Sequence, residues 1–73
     1  MVSVGSLVKL NCSTRGTFCD PERGLLEIWL HNKNPGIVLN LRKNIPVPMC
    51  DIVFGDQLIY GIPLEDVSLV RDT

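Results

Sequence analysis

The feature that most constrains this chain is the spacing of its glycines and prolines, which divide it into short segments. No stretch of ten residues carries a helical period of apolar side chains without a Gly or Pro inside it. Apolar and polar residues instead alternate over short runs, which is the pattern of strands buried on one face. Short strands at close spacing, with turn residues between them, are typical of a β-barrel or a β-sandwich. The sequence therefore predicts an all-β fold.

The alternation also assigns a face to each side chain in the predicted strands. In SLVKL (residues 6–10), Leu7 and Lys9 point one way, and Val8 and Leu10 point the other way. The runs LLEIWLH, IVLNLR and MCDIVF give these inward residues: Leu26, Ile28 and Leu30; Ile37, Leu39 and Leu41; Cys50, Ile52 and Phe54. The outward residues of the first two runs are Glu27, Trp29 and His31, and then Val38, Asn40 and Arg42.

The connections complete the predicted order of elements. Residues 11–24 are polar and rich in turn formers, which predicts a long excursion before the LLEIWLH strand. Gly55-Asp56-Gln57 predicts a tight hairpin. Pro63 predicts a single 3₁₀-like turn before the last strand, because Pro suits a first helical position. Few and short strands of this kind predict a small, partly open barrel of five or six strands.

This order of elements resembles an SH3-like barrel, including its KOW- and Tudor-type relatives. Residues 12–34 correspond to the long first loop, KNIPVP to the second variable loop, FGDQ to the distal hairpin, and IPLEDVSLV to the 3₁₀ turn and last strand. The stretches VGSLVKL, PGIVLNLR and CDIVFGDQLIYGIPLEDVSLV are also similar to short SH3-like proteins encoded by phages and found in marine viral sequence.

The resemblance implies that residues 1–73 form a single SH3-like barrel domain. From the alternating apolar positions we expect Leu39, Ile52 and Tyr60 to share one closed interior. The resemblance also implies a phage-encoded protein that acts in the cytoplasm of a bacterial host cell. It does not imply an activity, because this kind of barrel hosts many unrelated functions. The aromatic residues that line a groove for proline-rich peptides in this fold are missing here, which argues against that function.

Composition and charge restrict the possible partners. Apolar residues make up 45% of the chain, although a domain this small buries only about 60% of the surface of its unfolded chain. The excess predicts exposed apolar patches, and hence a homo-oligomer or a constitutive protein partner. Met1-Val-Ser-Val-Gly lacks the basic start and apolar stretch of a secretory signal, and no apolar run reaches the roughly 20 residues of a membrane span. We expect a soluble, intracellular protein with no membrane partner.

Trp29 is the strongest candidate for a binding residue. It shares the outward face of its strand with Glu27 and His31. Tryptophan contributes a large share of the binding energy at many protein interfaces, so one hypothesis is a non-catalytic interaction or assembly module that binds itself, a virion protein or a host protein. The alternative for this side chain is structural: Trp29 covers the flank of the barrel and packs on Phe18.

A basic segment supports a second functional hypothesis. No carboxylate occurs between Glu27 and Asp51, and this interval holds the basic side chains His31, Lys33, Arg42 and Lys43. A KOW-type barrel could use them to bind phosphates and use Trp29 or Tyr60 to stack bases. The net charge of −1 gives no general attraction to nucleic acid.

Metal binding and catalysis have less support. Cys12, Cys19, His31 and Cys50 form a Cys₃His set on paper, but Cys12 and Cys19 lack the close spacing of a zinc knuckle. The alternative is a buried Cys50 that acts as a small apolar residue, with two free loop thiols. Cys19 and His31 lack a third group that would orient them as nucleophile and base. We therefore expect neither an enzyme nor a cofactor.

Overall fold

The computed structural model describes residues 1–31 and 34–70, and in this part of the chain seven strands form one antiparallel sheet. The strands are β1 (Leu7–Leu10), β2 (Thr14–Asp20), β3 (Gly24–Leu30), β4 (Gly36–Arg42), β5 (Met49–Phe54), β6 (Gln57–Pro63) and β7 (Val67–Leu69). A single 3₁₀ turn at Leu64–Asp66 precedes β7, as predicted from Pro63. The all-β prediction is confirmed.

The order of the strands across the sheet is β3-β2-β6-β5-β4-β1-β7. The sheet is not closed, because β3 and β7 each pair with a single neighbour among the described strands. The sequence predicted a partly open barrel around one closed interior; the described strands form an open sheet, and the barrel is not confirmed. The strand count exceeds the predicted five or six because the segment expected to be a long loop contains β2.

The β2–β3 hairpin, which we call the β2–β3 ribbon, replaces that loop. Its strands pair without interruption from Thr14 opposite Leu30 to Asp20 opposite Gly24. The Asp20 carboxylate accepts hydrogen bonds from the backbone N–H groups of Glu22 and Arg23, at 2.8 and 3.1 Å, and so closes the turn between the strands. β2 was missed because its residues, TRGTFCD, are mostly polar or small. The strand is held by its neighbours β3 and β6.

The core lies on one face of the sheet. Its fully buried apolar side chains are Val8, Leu10, Val38, Cys50, Ile52, Ile59, Ile62 and Val67. The predicted faces of β1 and β3 are confirmed, because Val8 and Leu10 are buried, and the inward residues of β3 are half-buried while its outward residues are exposed. Gly16 of β2 lies where a Cβ would collide with the Ile59 side chain, so the ribbon can approach the core only with glycine at this position.

The predicted faces of β4 are wrong before its bulge and right after it. Val38 is fully buried, whereas Ile37 and Leu39 are 41% and 42% exposed. The pairing of β4 with β5 shifts after Val38, so that Leu39 is an extra residue without an opposite partner. Such a bulge reverses the two-residue alternation, which is why Leu41 still packs against the core as predicted.

A second bulge lies in β6, directly across β5 from the first. Tyr60 and Gly61 together occupy the place opposite Asp51, and Gly61 has a φ of 70°, which favours glycine. Tyr60 is 37% exposed. The prediction that Leu39, Ile52 and Tyr60 share a common interior is therefore wrong, because only Ile52 is buried. We call the bulged strands β4, β5 and β6 the β4–β6 meander.

Candidate functional site

The candidate site lies on β3, at one edge of the sheet. Trp29 is 60% exposed there. Arg15, directly opposite in β2, places its guanidinium carbon 5.1 Å from the centroid of the Trp29 ring, within cation–π range. Arg15 also donates a hydrogen bond from Nη1 to Oε1 of Glu27, at 3.2 Å. We call the surface formed by Arg15, Glu27, Trp29 and His31 the β3 edge surface.

The structural alternative for Trp29 is wrong. Phe18 packs against the core, and it stands opposite Leu26 on the inward face of the ribbon. Residues an odd number of positions apart on paired strands face opposite sides, so Trp29 points away from Phe18. The ring of Trp29 is covered on one side by Arg15 and otherwise faces solvent.

Two clefts meet at Trp29. The first, of about 390 Å³, is lined by Arg15, Thr17, Met49 and Gly61 among others, and we call it the Gly61 cleft. The second, of about 400 Å³, has an apolar floor of Leu10, Ile28, Leu30 and Phe54, with His31 and Gln57 on its rim, and we call it the Phe54 cleft. A large aromatic side chain between two concave surfaces has the geometry of an anchor for a partner.

The backbone edge of β3 is unusually open to pairing. Protein sheets commonly protect their edges with Lys, Pro, bulges or very short strands. β3 is seven residues long, contains neither Lys nor Pro, and pairs with β2 without a bulge. Its one charged residue, Glu27, is engaged by Arg15. Among the described strands, only β2 pairs with β3, so the backbone groups on the other side of β3 have no strand partner there.

The three described residues of the basic segment, His31, Arg42 and Lys43, do not form one patch. Arg42 donates two hydrogen bonds to the Asp51 carboxylate, at 2.8 and 2.5 Å, so its charge is compensated within the protein. Lys43 follows β4 and is exposed, while His31 follows β3 and has its Nδ1 3.0 Å from Oγ of Ser13. These two positions are four strand spacings apart, roughly 20 Å along the sheet. Lys33 lies outside the described residues.

Asp51 is a buried charge that sequence reasoning did not single out. It is 1% exposed and lies between the two bulges. Besides Arg42, it accepts hydrogen bonds from Asn40 Nδ2, at 3.1 Å, and from the Gly61 N–H, at 3.0 Å. Burial by itself raises the pKa of the Asp51 carboxyl, but the hydrogen bonds from Arg42, Gly61 and Asn40 outweigh it and hold this pKa below its ordinary value. The network ties β5 to both of its neighbours, β4 and β6.

The cysteines are not brought together. Cys50 is buried in the core, where burial and then the Asp51 charge raise the pKa of its thiol to about 11. Cys12 and Cys19 are exposed, and desolvation and the Asp66 carboxylate raise the pKa of the Cys12 thiol. The described residues contain no group of three or more His, Cys, Asp or Glu side chains placed to hold a metal. The zinc alternative therefore has no ligand cluster.

Cys19 and His31, which were considered as a nucleophile and its base, are not brought together either. Cys19 stands opposite Leu25 in the ribbon, six residues before His31 in the neighbouring strand. Six residues of extended chain span roughly 20 Å, far beyond the reach of a hydrogen bond between a nucleophile and its base.

Within residues 1–31 and 34–70, we find no helix with the length and apolar character needed to cross a membrane.

Comparison with known proteins gives no match: no family model, no curated protein and no solved structure is significantly similar to this chain. Its function is therefore inferred from the geometry described above.

Proposed function

We propose that this chain is a non-catalytic protein–protein interaction or assembly module that binds its partner through the β3 edge surface. The observation that carries the proposal is the position of Trp29, 60% exposed on an edge strand and between two clefts. A tryptophan with its ring pre-positioned by Arg15 loses little conformational freedom on binding, which favours a contribution to affinity.

The partner is the chain itself, a virion protein or a host protein. Other apolar side chains are exposed as well, among them Leu25 of β3 at 73% and Leu39 of β4 at 42%. They support the expectation, first drawn from composition, that part of this surface is covered in the functional assembly.

The finer identity of the fold belongs to the same proposal. A tight hairpin joins β5 and β6, a 3₁₀ turn precedes the last strand, and that strand pairs with the first. This arrangement supports membership of the SH3-like class, with the β2–β3 ribbon in the place of the long first loop. A phage origin and a location in the bacterial cytoplasm rest on the resemblance alone.

Nucleic-acid binding of KOW type is the alternative function. The exposure of Tyr60, which stands opposite Thr17, favours it because an exposed aromatic ring can stack on a base. The pairing of Arg42 with Asp51 weakens it, since this guanidinium is already engaged. Filter binding of single-stranded RNA and DNA at low salt tests the alternative, and retention that falls steeply with added salt would favour it over the main proposal.

The main proposal is tested by capture on the immobilised chain. Wild-type, Trp29→Ala and Leu69→Ala chains are exposed to a bacterial lysate supplemented with the chain in tagged form. Bound proteins are identified by mass spectrometry and re-tested in purified form. Leu69 is the control because it is a partly exposed apolar residue on the opposite edge of the sheet.

We expect at least one purified protein, the tagged chain included, to bind the wild type and the Leu69→Ala variant but not the Trp29→Ala variant. Circular dichroism establishes that the variants fold. If no bound protein depends on Trp29, the β3 edge surface is not an interaction surface and the proposal fails.

A further inference from the structure

The two edges of the sheet differ in how well they suit pairing with another chain. The β7 edge offers a strand of three residues, Val67–Leu69, with no aromatic side chain. The β3 edge offers seven residues in a regular strand, followed by the exposed His31. Main-chain hydrogen bonds along such an edge provide affinity, and the alternate side chains provide specificity. The β3 edge is therefore where a partner strand would add.

A second copy of the same strand is a suitable partner because antiparallel pairing is compatible with a two-fold axis. Such an axis stands at one residue, and residues equally distant from it become directly opposite on the same face. An axis at Glu27 places two carboxylates opposite each other, which is unfavourable. An axis at Ile28 places Glu27 opposite the Trp29 ring, which takes the Arg15–Glu27 pair out of water without adding a partner for either charge.

An axis at Trp29 gives the complementary arrangement. The two Trp29 rings then form a cross-strand aromatic pair, which is a favourable contact. Glu27 of each copy stands opposite His31 of the other, so that each carboxylate gains a nitrogen that can donate a hydrogen bond. On the inward face, Ile28 stands opposite Leu30 of the second copy, beside the apolar floor of the Phe54 cleft.

We propose that the chain forms a homodimer in which β3 pairs antiparallel with β3 of a second copy, with the two-fold axis at Trp29. This inference rests on the proposed function, since it names the partner of the β3 edge surface. With this register, residues 27–31 of one copy pair with residues 31–27 of the other, so the two sheets join through the end of β3 that carries Trp29.

The dimer is tested by sedimentation velocity and light scattering from micromolar to millimolar concentration. Trp29 is the only tryptophan in the chain, so its fluorescence should shift to longer wavelength as the dimer dissociates on dilution. Trp29→Lys places two ammonium groups opposite each other and should weaken dimerisation roughly a hundredfold or more. Leu69→Lys, the matched change on the β7 edge, should leave dimerisation unchanged.

A charge exchange tests the register. Glu27→Lys alone places Lys opposite His31 of the second copy and should weaken the dimer roughly tenfold. The double variant with Glu27→Lys and His31→Glu restores an opposite-charge pair and should recover most of this loss. Within one copy, Glu27 and His31 stand four positions apart in sequence and do not face each other. A recovery of dimerisation would therefore report the contact between copies.

Three results would overturn the inference. A wild-type chain that stays monomeric at millimolar concentration excludes the homodimer, whereas a purified foreign protein that still binds in a Trp29-dependent manner would leave the proposed function standing. A dimer that survives Trp29→Lys uses another surface. If Trp29→Lys weakens the dimer but the double variant with Glu27→Lys and His31→Glu does not restore dimerisation, the two β3 strands pair in a different register.

Discussion

The β2–β3 ribbon and the β4–β6 meander are both antiparallel, but they are held together in opposite ways. The ribbon pairs residue by residue without a bulge, and its outward face carries an exposed ion pair and an exposed aromatic ring. The meander contains two bulges around a buried carboxylate and supplies most of the core. Each region contains one Arg–carboxylate pair, which allows a direct comparison.

The two Arg–carboxylate pairs differ in how much they contribute to the stability of the fold. In the meander, Asp51 is buried, and its carboxylate accepts hydrogen bonds from Asn40 and Arg42 of β4 and from the Gly61 N–H of β6. In the ribbon, the side chains of Arg15 and Glu27 are 57% and 67% exposed, and a pair of this kind contributes little to folding. Side chains that contribute little to folding are available to a partner, so the meander supplies the stability of the protein and the ribbon carries the proposed binding surface.

The largest expected effect concerns the apolar core. Ile52→Ala removes a fully buried side chain at the centre of the meander and should lower the free energy of unfolding by about 4 kcal/mol. A domain of this length has only several kcal/mol in total, at roughly 0.1 kcal/mol per residue, so the variant should be largely unfolded. Ile28→Ala in the half-buried ribbon should cost only about 1 to 2 kcal/mol. Urea unfolding of both variants measures the difference, and equal losses would show that the ribbon belongs to the core.

The second effect concerns the buried carboxylate. Asp51→Ala removes the acceptor for Arg42, Asn40 and the Gly61 N–H and should lower the free energy of unfolding by about 3 kcal/mol. Chemical unfolding followed by circular dichroism provides the measurement. An exposed ion pair contributes at most about 1 kcal/mol. A smaller loss for Asp51→Ala would therefore mean that the buried Arg42–Asp51 pair stabilises the fold no more than the exposed Arg15–Glu27 pair.

The third effect is the pH dependence that follows from the same carboxylate. Its pKa is lower in the folded protein than in the unfolded chain, so Asp51 stabilises the fold above its unfolded pKa of about 4. This stabilisation should be lost as the pH falls through that value towards the folded pKa. Thermal melting from neutral to acid pH should show a steeper decline for the wild type than for Asp51→Asn, which keeps the shape of the side chain. Parallel curves would exclude Asp51 as a source of acid sensitivity.

The smallest effect concerns the exposed pair of the ribbon. Glu27→Gln removes its charge and should change the free energy of unfolding by less than about 0.5 kcal/mol, because both side chains remain in contact with water. The measurement is the same urea titration, at low and at high salt. A loss comparable with that of Asp51→Ala would contradict the separation of stability from binding.

Much of the fold could be predicted from local pattern. The alternation in β1 placed Val8 and Leu10 on one face, and that in β3 placed Ile28 inward and Trp29 outward; the structure agrees. Pro63 correctly indicated the 3₁₀ turn. These predictions held because each depends on residues that are neighbours in sequence.

The predictions that were wrong depended on partners distant in sequence. Leu39 was expected inside because alternation was carried through a bulge that exists only where β4 meets β5. β2 could not be recognised from its own residues, because its place in the sheet comes from β3 and β6. The stacking of Arg15 on Trp29 was missed for the same reason: it follows from the register of the ribbon.

What the sequence by itself determined is an all-β chain of short strands, with an exposed tryptophan on LLEIWLH and a single turn of 3₁₀ helix near its end. These properties follow from side-chain periodicity and backbone stiffness, which act over a few residues. Only the tertiary structure decided that the sheet stays open, that β3 lies at its edge and that Asp51 neutralises Arg42. Strand pairing sets all three, and pairing is a property of residues that meet across the sheet.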